Sequence, residues 1–302
     1  MEQIVKKISE LKAARNAVIM AHNYTLQEVQ DIADYCGDSL ELARIAAGCQ
    51  APVIVLCGVR FMAETAKILS PESIVLHPEP SAGCPMADMA DMDSVRTYRK
   101  EHPDTLMVAY VNTTAETKTA VDICCTSGNA EKIISKLPAD KKIMFLPDAN
   151  LGGNVSDTLN RKMDLWNGCC PIHDKITGKM ILDAKAAHPE APVLVHPECR
   201  SEVVKLADHA VSTGGMLDFV RKSPAKEFII GTETGILHRM RKENPDKIFH
   251  PLTPEVICTD MKKITLEKIA AALENLKPQI ILDAETIRLA RSSIEKMLEL
   301  SR

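Results

Sequence analysis

The chain has 302 residues, 45% of them hydrophobic and 26% charged, with a net charge of -4. That length supports two or three cored domains, and the charge excludes a nucleic acid or an anionic membrane surface as the main partner. No segment approaches the roughly 18 consecutive apolar residues of a membrane span, and ten cysteines in a chain without a signal peptide read as reduced thiols of a cytoplasmic protein.

The opening MEQIVKKISELKAARN predicts an amphipathic helix. The apolar run VIMAHNY then predicts a strand ending at His22, with Tyr24 two positions on. GDSLELARIAA, carrying Ser39, predicts a helix, and PVIVLCGV a second strand. Cys84 follows, and then a helical stretch that stops at Pro103. The same sequence of signals returns twice. MVAYVN ends in Tyr110 and Asn112, TSGNAEKIISKL carries Thr126 and Ser127, KKIMFLP is apolar, and Cys170 precedes a helix stopping at Pro189. LVHPE ends in His196 and Glu198, STGGMLDFVRK carries Ser212 and Thr213, KEFIIGT is apolar, and Cys258 precedes a helix stopping at Pro278. The tail AETIRLARSSIEKMLELSR predicts a helix with Ile287, Leu289, Ile294 and Leu298 at rough helical spacing.

The spacing is regular. Cys84 lies 62 residues after His22, Cys170 lies 60 after Tyr110 and Cys258 lies 62 after His196, so the cysteines are 86 and 88 apart. Solenoid repeats are shorter, at about 20–50 residues. A period this long fits three similar αβα domains. Val- and Ile-rich runs alternating with helices imply parallel sheets buried on both faces. The expected fold is α/β, with a pseudo-threefold arrangement around one central site. The expected domains are 1–88, 89–175 and 176–278, with the terminal helix 279–302 beginning a fourth cycle and packing back on the first domain. The ring-bearing residues His22, Tyr110 and His196 sit at strand carboxyl ends, where open parallel sheets bind ligands.

A lone cysteine is ordinarily a small core residue. The repeat lifts three of them out of that class. One thiol per domain would hold three irons of a [4Fe–4S] cluster and leave the fourth iron open as a Lewis acid; a Cys₃ zinc site with water is the alternative. Cys124 and Cys125 read as core residues. Spacing does not choose between the adjacent Cys169 and Cys170, and Cys199 either lines the site or packs. The hydroxyls of Ser39, Thr126, Ser127, Ser212 and Thr213 stand at helix starts, where they either cap the helix or help its N–H groups bind an anion. His22, Tyr24, Tyr110, His196 and Glu198 form an acid–base set or, on the plainer reading, pack and bond locally. His173 lies three residues after Cys170 and so near any cluster. His77, His102, His188, His209 and His250 read as structural or surface groups.

AHNY, GDS, CGVRFMAETAKIL, AGCPMAD, YVNTTAETK, CTSGNA, LPDANLG, LWNGCCPIH, VHPEC, STGGM and GTETGILHRM, with the stretch from Cys258 to Lys263, together resemble the quinolinate synthase family across nearly the whole chain. The resemblance implies three αβα domains around an oxygen-sensitive [4Fe–4S] cluster. It implies condensation of iminoaspartate with dihydroxyacetone phosphate to quinolinate, phosphate and water, in NAD biosynthesis. It further implies that iminoaspartate arrives from an aspartate-oxidising enzyme. Carried over by motif, the cluster ligands are Cys84, Cys170 and Cys258, with the family pattern G-x-C-x-x-H choosing Cys170 over Cys169. The implied substrate-binding residues are His22, Ser39, Tyr110, Asn112, Ser127, His173, His196, Glu198 and Thr213. The implied catalytic residues are His22, Tyr24, Tyr110, His196 and Glu198. One feature departs from some family members: ICTDM holds Cys258 alone where they carry C-x-x-C-x-x-C, so a disulfide there is not available to this chain.

Overall fold

In a computed structural model describing residues 1–302, twelve strands form three parallel sheets of four. The first sheet holds β1 (Ala17–His22), β2 (Tyr35–Gly37), β3 (Val53–Cys57) and β4 (Ile74–Leu76). The second holds β5 (Leu106–Tyr110), β6 (Ile123–Cys125), β7 (Ile143–Leu146) and β8 (Asp164–Leu165). The third holds β9 (Val193–Val195), β10 (His209–Ala210), β11 (Glu227–Gly231) and β12 (Ile248–Pro251). The orders are β2-β1-β3-β4, β6-β5-β7-β8 and β10-β9-β11-β12, one topology used three times. The fold is therefore α/β with three similar αβα units.

The apolar runs seen in the sequence are the central strands. Every residue of β3 and β7 is buried, as helices on both faces of a parallel sheet require. The flanking strands are only two to four residues long, too short to stand out in the sequence. In this strand order the direction of winding reverses between the first and third strands, all of them parallel. A crevice therefore opens at the strand carboxyl ends in each unit.

A repeated polar clasp holds the second strand against the first. Asp34 accepts the Ile19 N–H, Asp122 the Met107 N–H and Asp208 the Val193 N–H, each at 2.8 Å. The backbone N–H of each aspartate donates back to the carbonyl of that same residue. A cation from the preceding helix completes each clasp: Lys12 at 2.6 Å, Arg99 at 2.6 Å and Lys185 at 3.1 Å. The aspartates are 88 and 86 residues apart, so they follow the same period as the cysteines.

Two segments lie elsewhere than the sequence suggests. Residues expected to end the third domain instead return to the first. Helix Leu266–Asn275 packs on the opening helix Glu2–Ala14, and its Leu266, Ile269 and Leu273 share one core cluster with Ile8, Ile19 and Val55. Gln279 then bridges Leu76 in antiparallel sense, so the fourth cycle begins at the edge of the first sheet. The terminal helix Ala284–Leu300 does not stay there. It packs mainly on β6 and on helices Ala115–Lys118 and Ala130–Lys136 of the second unit, and also touches helix Arg60–Leu69 of the first. Its buried stripe is Ala290, Ser293, Ile294 and Met297; of the residues expected to form the stripe only Ile294 belongs to it. Ala290, Ile294 and Met297 join the main core cluster there, and two hydrogen bonds fix the helix in place: Ser293 Oγ donates to the Lys118 carbonyl at 3.1 Å, and Asn129 Nδ2 donates to Ser301 Oγ at 2.7 Å.

Asp122→Ala leaves the Met107 N–H, deep in the second sheet, without its acceptor. The expected loss in unfolding free energy is about 1–3 kcal/mol, measured by urea denaturation. A change within experimental error would show that the clasp adds nothing to stability.

Candidate active site

The carboxyl ends of all three sheets open into one cavity of about 260 Å³. Each unit contributes the same three elements to its wall. After the first strand of each come His22 and Tyr24, Tyr110 and Asn112, and His196 and Glu198. After the second strand come Ser39, Thr126 with Ser127, and Thr213. Beyond the fourth strand come Cys84, Cys170 with His173, and Cys258. Every residue that the resemblance assigns to binding, catalysis or ligation thus lines this cavity, and Ser212 does not. Cys169 does not line it, and its N–H faces the Met89 sulfur at 3.4 Å. Cys124, Cys125 and Cys199 are buried core residues away from the wall.

The hydroxyls at the helix starts divide into two kinds. Ser212 caps helix Thr213–Lys222, its Oγ accepting the Gly215 N–H at 3.2 Å. Helix Ser39–Gly48 is capped by Asp38 rather than by Ser39. Ser39 and Thr213 are therefore first helical residues, not caps, and both line the cavity. Asp38 also accepts the Gly214 N–H at 3.2 Å, which ties the first and third units at the cavity wall.

One chain of hydrogen bonds crosses all three units. Tyr110 donates its hydroxyl to Glu198 Oε1 at 2.5 Å, and His173 Nδ1 lies 2.6 Å from Glu198 Oε2. His173 Nε2 meets Thr232 Oγ1 at 2.8 Å, and Thr232 Oγ1 meets the Tyr24 hydroxyl at 2.6 Å. The rings of His173 and His196 stack with centroids 4.6 Å apart. Glu198 is a fully enclosed carboxylate, so these partners carry its charge. Burial pushes its carboxyl up, and the bonds from His173 and the Tyr110 hydroxyl pull it further the other way, below the usual carboxylate range. Burial, reinforced by Glu198, raises both tyrosines well above the ordinary phenol value, so each remains a hydroxyl donor.

The two strand-end histidines share one local turn. His22 Nδ1 accepts the Tyr24 N–H at 3.1 Å, and His196 Nδ1 accepts the Glu198 N–H at 3.3 Å. An Nδ1 that accepts leaves the proton of a neutral ring on Nε2. Burial pulls both rings down to about 3, so they are neutral near pH 7. The thiols respond to burial in the opposite sense: Cys84 is pushed up to about 12, and Cys170 and Cys258 are also raised. None of the ten cysteines is in a disulfide.

The quinolinate synthetase A protein family profile matches residues 6–299. The chain belongs to this family. Proteins named quinolinate synthase are similar to it over nearly their full length. That of Dehalococcoides mccartyi (strain CBDB1) is 50% identical over 297 residues, covering 98% of each chain. That of Desulforudis audaxviator (strain MP104C) is 50% identical over 299 residues, covering 99% of each. That of Caldicellulosiruptor saccharolyticus is 50% identical over 302 residues, covering 100% of this chain and 99% of the relative.

Several residues that shape the cavity were not singled out from the sequence. Glu233 is wholly buried and gathers three donors: the Cys258 N–H at 3.2 Å, the Gly235 N–H at 2.7 Å and Lys262 Nζ at 2.9 Å. Lys262 also donates to the Tyr24 carbonyl at 2.5 Å, so one ion pair places both Cys258 and Tyr24. Lys118 is wholly buried with its ammonium on the carbonyls of Val111 and Thr113, holding the loop that presents Asn112. Asp148 caps helix Ala149–Leu159 through Leu151 and keeps Oδ2 unpartnered, and burial beside Glu198 raises its carboxyl well above the usual range. Only the GTETG and LPDANLG motifs hinted at Glu233 and Asp148; nothing local marked Lys262.

The neutral rings make a testable sign. A group whose folded value lies below its unfolded value of 6.5 takes up its proton in the unfolded chain first. The folded state therefore loses stability as the pH falls below 6.5 towards 3, and nothing is lost above 6.5. In the metal-free protein, the Cε1–H resonances of His22 and His196 are expected to show no protonation step between about pH 7.5 and 5. A step near the ordinary imidazole value in either ring would contradict the neutral assignment.

Proposed function

We propose that the chain is a quinolinate synthase that condenses iminoaspartate with dihydroxyacetone phosphate to quinolinate, phosphate and water. In this reading Cys84, Cys170 and Cys258 hold a [4Fe–4S] cluster, and the product enters NAD biosynthesis. One observation carries it: three thiols, one from each unit, open into a single cavity also walled by hydroxyls, imidazoles and a carboxylate.

The donor set suits the cluster. Thiolates favour iron–sulfur centres. One sulfur from each of three separate units around one cavity is the arrangement that three corners of a cluster ask for. When bound, the cluster supplies an open iron as a Lewis acid for a substrate hydroxyl or carboxylate.

The other roles fall to the protein's own groups. The triose phosphate sits against the Ser39 and Thr213 hydroxyls at their helix N-termini, with Ser127 beside them. His22 and His196, neutral with Nε2–H available, polarise carbonyl oxygens rather than take up protons. Glu198, kept ionised, is the base for the deprotonations that precede water loss. Tyr24 and Tyr110 donate protons or hydrogen bonds to developing oxyanions. Asn112 orients a substrate carboxylate. Iminoaspartate reaches the enzyme from an aspartate-oxidising partner.

A second reading has one specific support. Cys170, His173 and Glu198 bring their donor atoms within 4.8 Å of one another, as a mononuclear ion would ask. The hydrogen bond between His173 and Glu198 already accounts for that convergence.

Anaerobic assay with iminoaspartate and dihydroxyacetone phosphate should release quinolinate and phosphate in equal amounts. Alanine at Cys84, Cys170 or Cys258 should abolish turnover and bound iron and sulfide, while Cys124→Ala keeps all three. Active protein that contains zinc and no iron would overturn the cluster. Phosphate that stays on the triose would overturn the substrate assignment.

The cysteine pair gives a separate test. Cys169→Ser is expected to keep iron, sulfide and turnover near the parent. Cys170→Ser is expected to lose turnover, because an alkoxide is a harder ligand than a thiolate. The reverse result would move the ligand by one residue.

A further inference from the structure

Away from the cavity, a second set of metal-binding side chains converges on the third unit. The ligand atoms of His188, Glu227 and His250 all lie within 4.8 Å of one another. Glu227 is the first residue of β11, His250 lies on the neighbouring β12, and His188 ends helix Gly178–Ala187. The register pairs His250 with Ile229, two residues along β11 from Glu227, so strand alternation turns His250 and Glu227 to the same face. Three separate elements thus deliver three donors to one spot.

The contacts are not those of a finished ion pair. Glu227 Oε2 lies 3.2 Å from His250 Nε2 but 4.0 Å from His188 Nδ1, beyond hydrogen-bond reach. The two imidazoles stack face to face, with centroids 3.7 Å apart and planes at 18°. A single imidazole–carboxylate bond explains His250 and leaves His188 unexplained. Two protonated rings at that separation would repel each other. A dication shared by two neutral rings and the carboxylate satisfies all three groups together.

We propose that His188, Glu227 and His250 bind one divalent transition-metal ion of the zinc class. Two imidazoles and one carboxylate are an established zinc donor set, with water completing the tetrahedron. A tetrahedron with bonds of about 2.0–2.2 Å sets its donors roughly 3.3–3.5 Å apart, so Glu227 and His250, at 3.2 Å, already stand near that spacing and His188, at 4.0 Å from Glu227, has to close in. The rings must hinge open from their stack to meet the ion. The side chains of His188, Glu227 and His250 are 35%, 47% and 25% exposed, so they are free to turn. The bound ion would pin the end of a helix to two strands of the third sheet. It stands apart from the proposed chemistry, because Glu227 is at the amino end of β11 and the cavity is at the carboxyl end.

The test uses the cluster-loaded protein under anaerobic conditions. Zn²⁺ is titrated by calorimetry into the parent and into Glu227→Gln and His250→Ala. One equivalent should bind the parent, and each variant should bind at least about tenfold more weakly, with turnover unchanged. Equal affinity in all three proteins would overturn the proposal. Diffraction at the zinc edge from zinc-soaked parent crystals gives a second reading that does not depend on variants folding. An anomalous peak among the three side chains is expected; a peak only at cysteines, or none, would overturn the site.

Discussion

A single buried carboxylate sets the terms for the rest of this structure. Glu198 lies in the interior where the three units meet, and an unpaired charge there would cost several kcal/mol. Its partners come from elsewhere: Tyr110 from the end of β5 and His173 from beyond β8. Through Thr232 the chain of bonds passes on to Tyr24 of the first unit. No unit can shift relative to its neighbours without stranding one of these groups. The cavity wall is therefore held in place by the same bonds that give its residues their protonation states.

The threefold repeat explains how such a site is assembled from modest parts. A parallel sheet with this strand order exposes a crevice at its carboxyl end and requires helices on both faces. Three copies facing one another turn three shallow crevices into one enclosed space. Each copy brings the same kinds of position: a strand-end polar pair, a helix-start hydroxyl and a thiol. The copies have diverged in chemistry while keeping the place. His22, Tyr110 and His196 hold equivalent positions, yet two are neutral imidazoles and one is a phenol bonded to Glu198.

Much of this was legible in the sequence because the informative residues are chemically distinctive and evenly spaced. Cysteines 86 and 88 apart, and rings at the ends of apolar runs, mark the units without any knowledge of contacts. The aspartate clasps follow the same period but escape notice, since aspartate is common and its role shows only when two strands lie side by side. Glu233 acts on Cys258 and Lys262 on Tyr24 across long separations, and no motif announces those contacts. The tail misled for a related reason. Its apolar residues suggested a stripe through Ile287 and Leu289, but the buried face runs through Ala290, Ser293, Ile294 and Met297, where the small Ser293 also reaches the Lys118 carbonyl.

The return of helix Leu266–Asn275 to the first unit has a consequence for synthesis. Ile8 and Ile19 share a core with Ile269 and Leu273, residues made some 250 positions later. The first sheet cannot acquire its full cover until most of the chain has left the ribosome, a contact of high sequence separation that slows closure. Cys258 emerges just ahead of that helix. All three thiols have therefore been synthesised before the fold can seal.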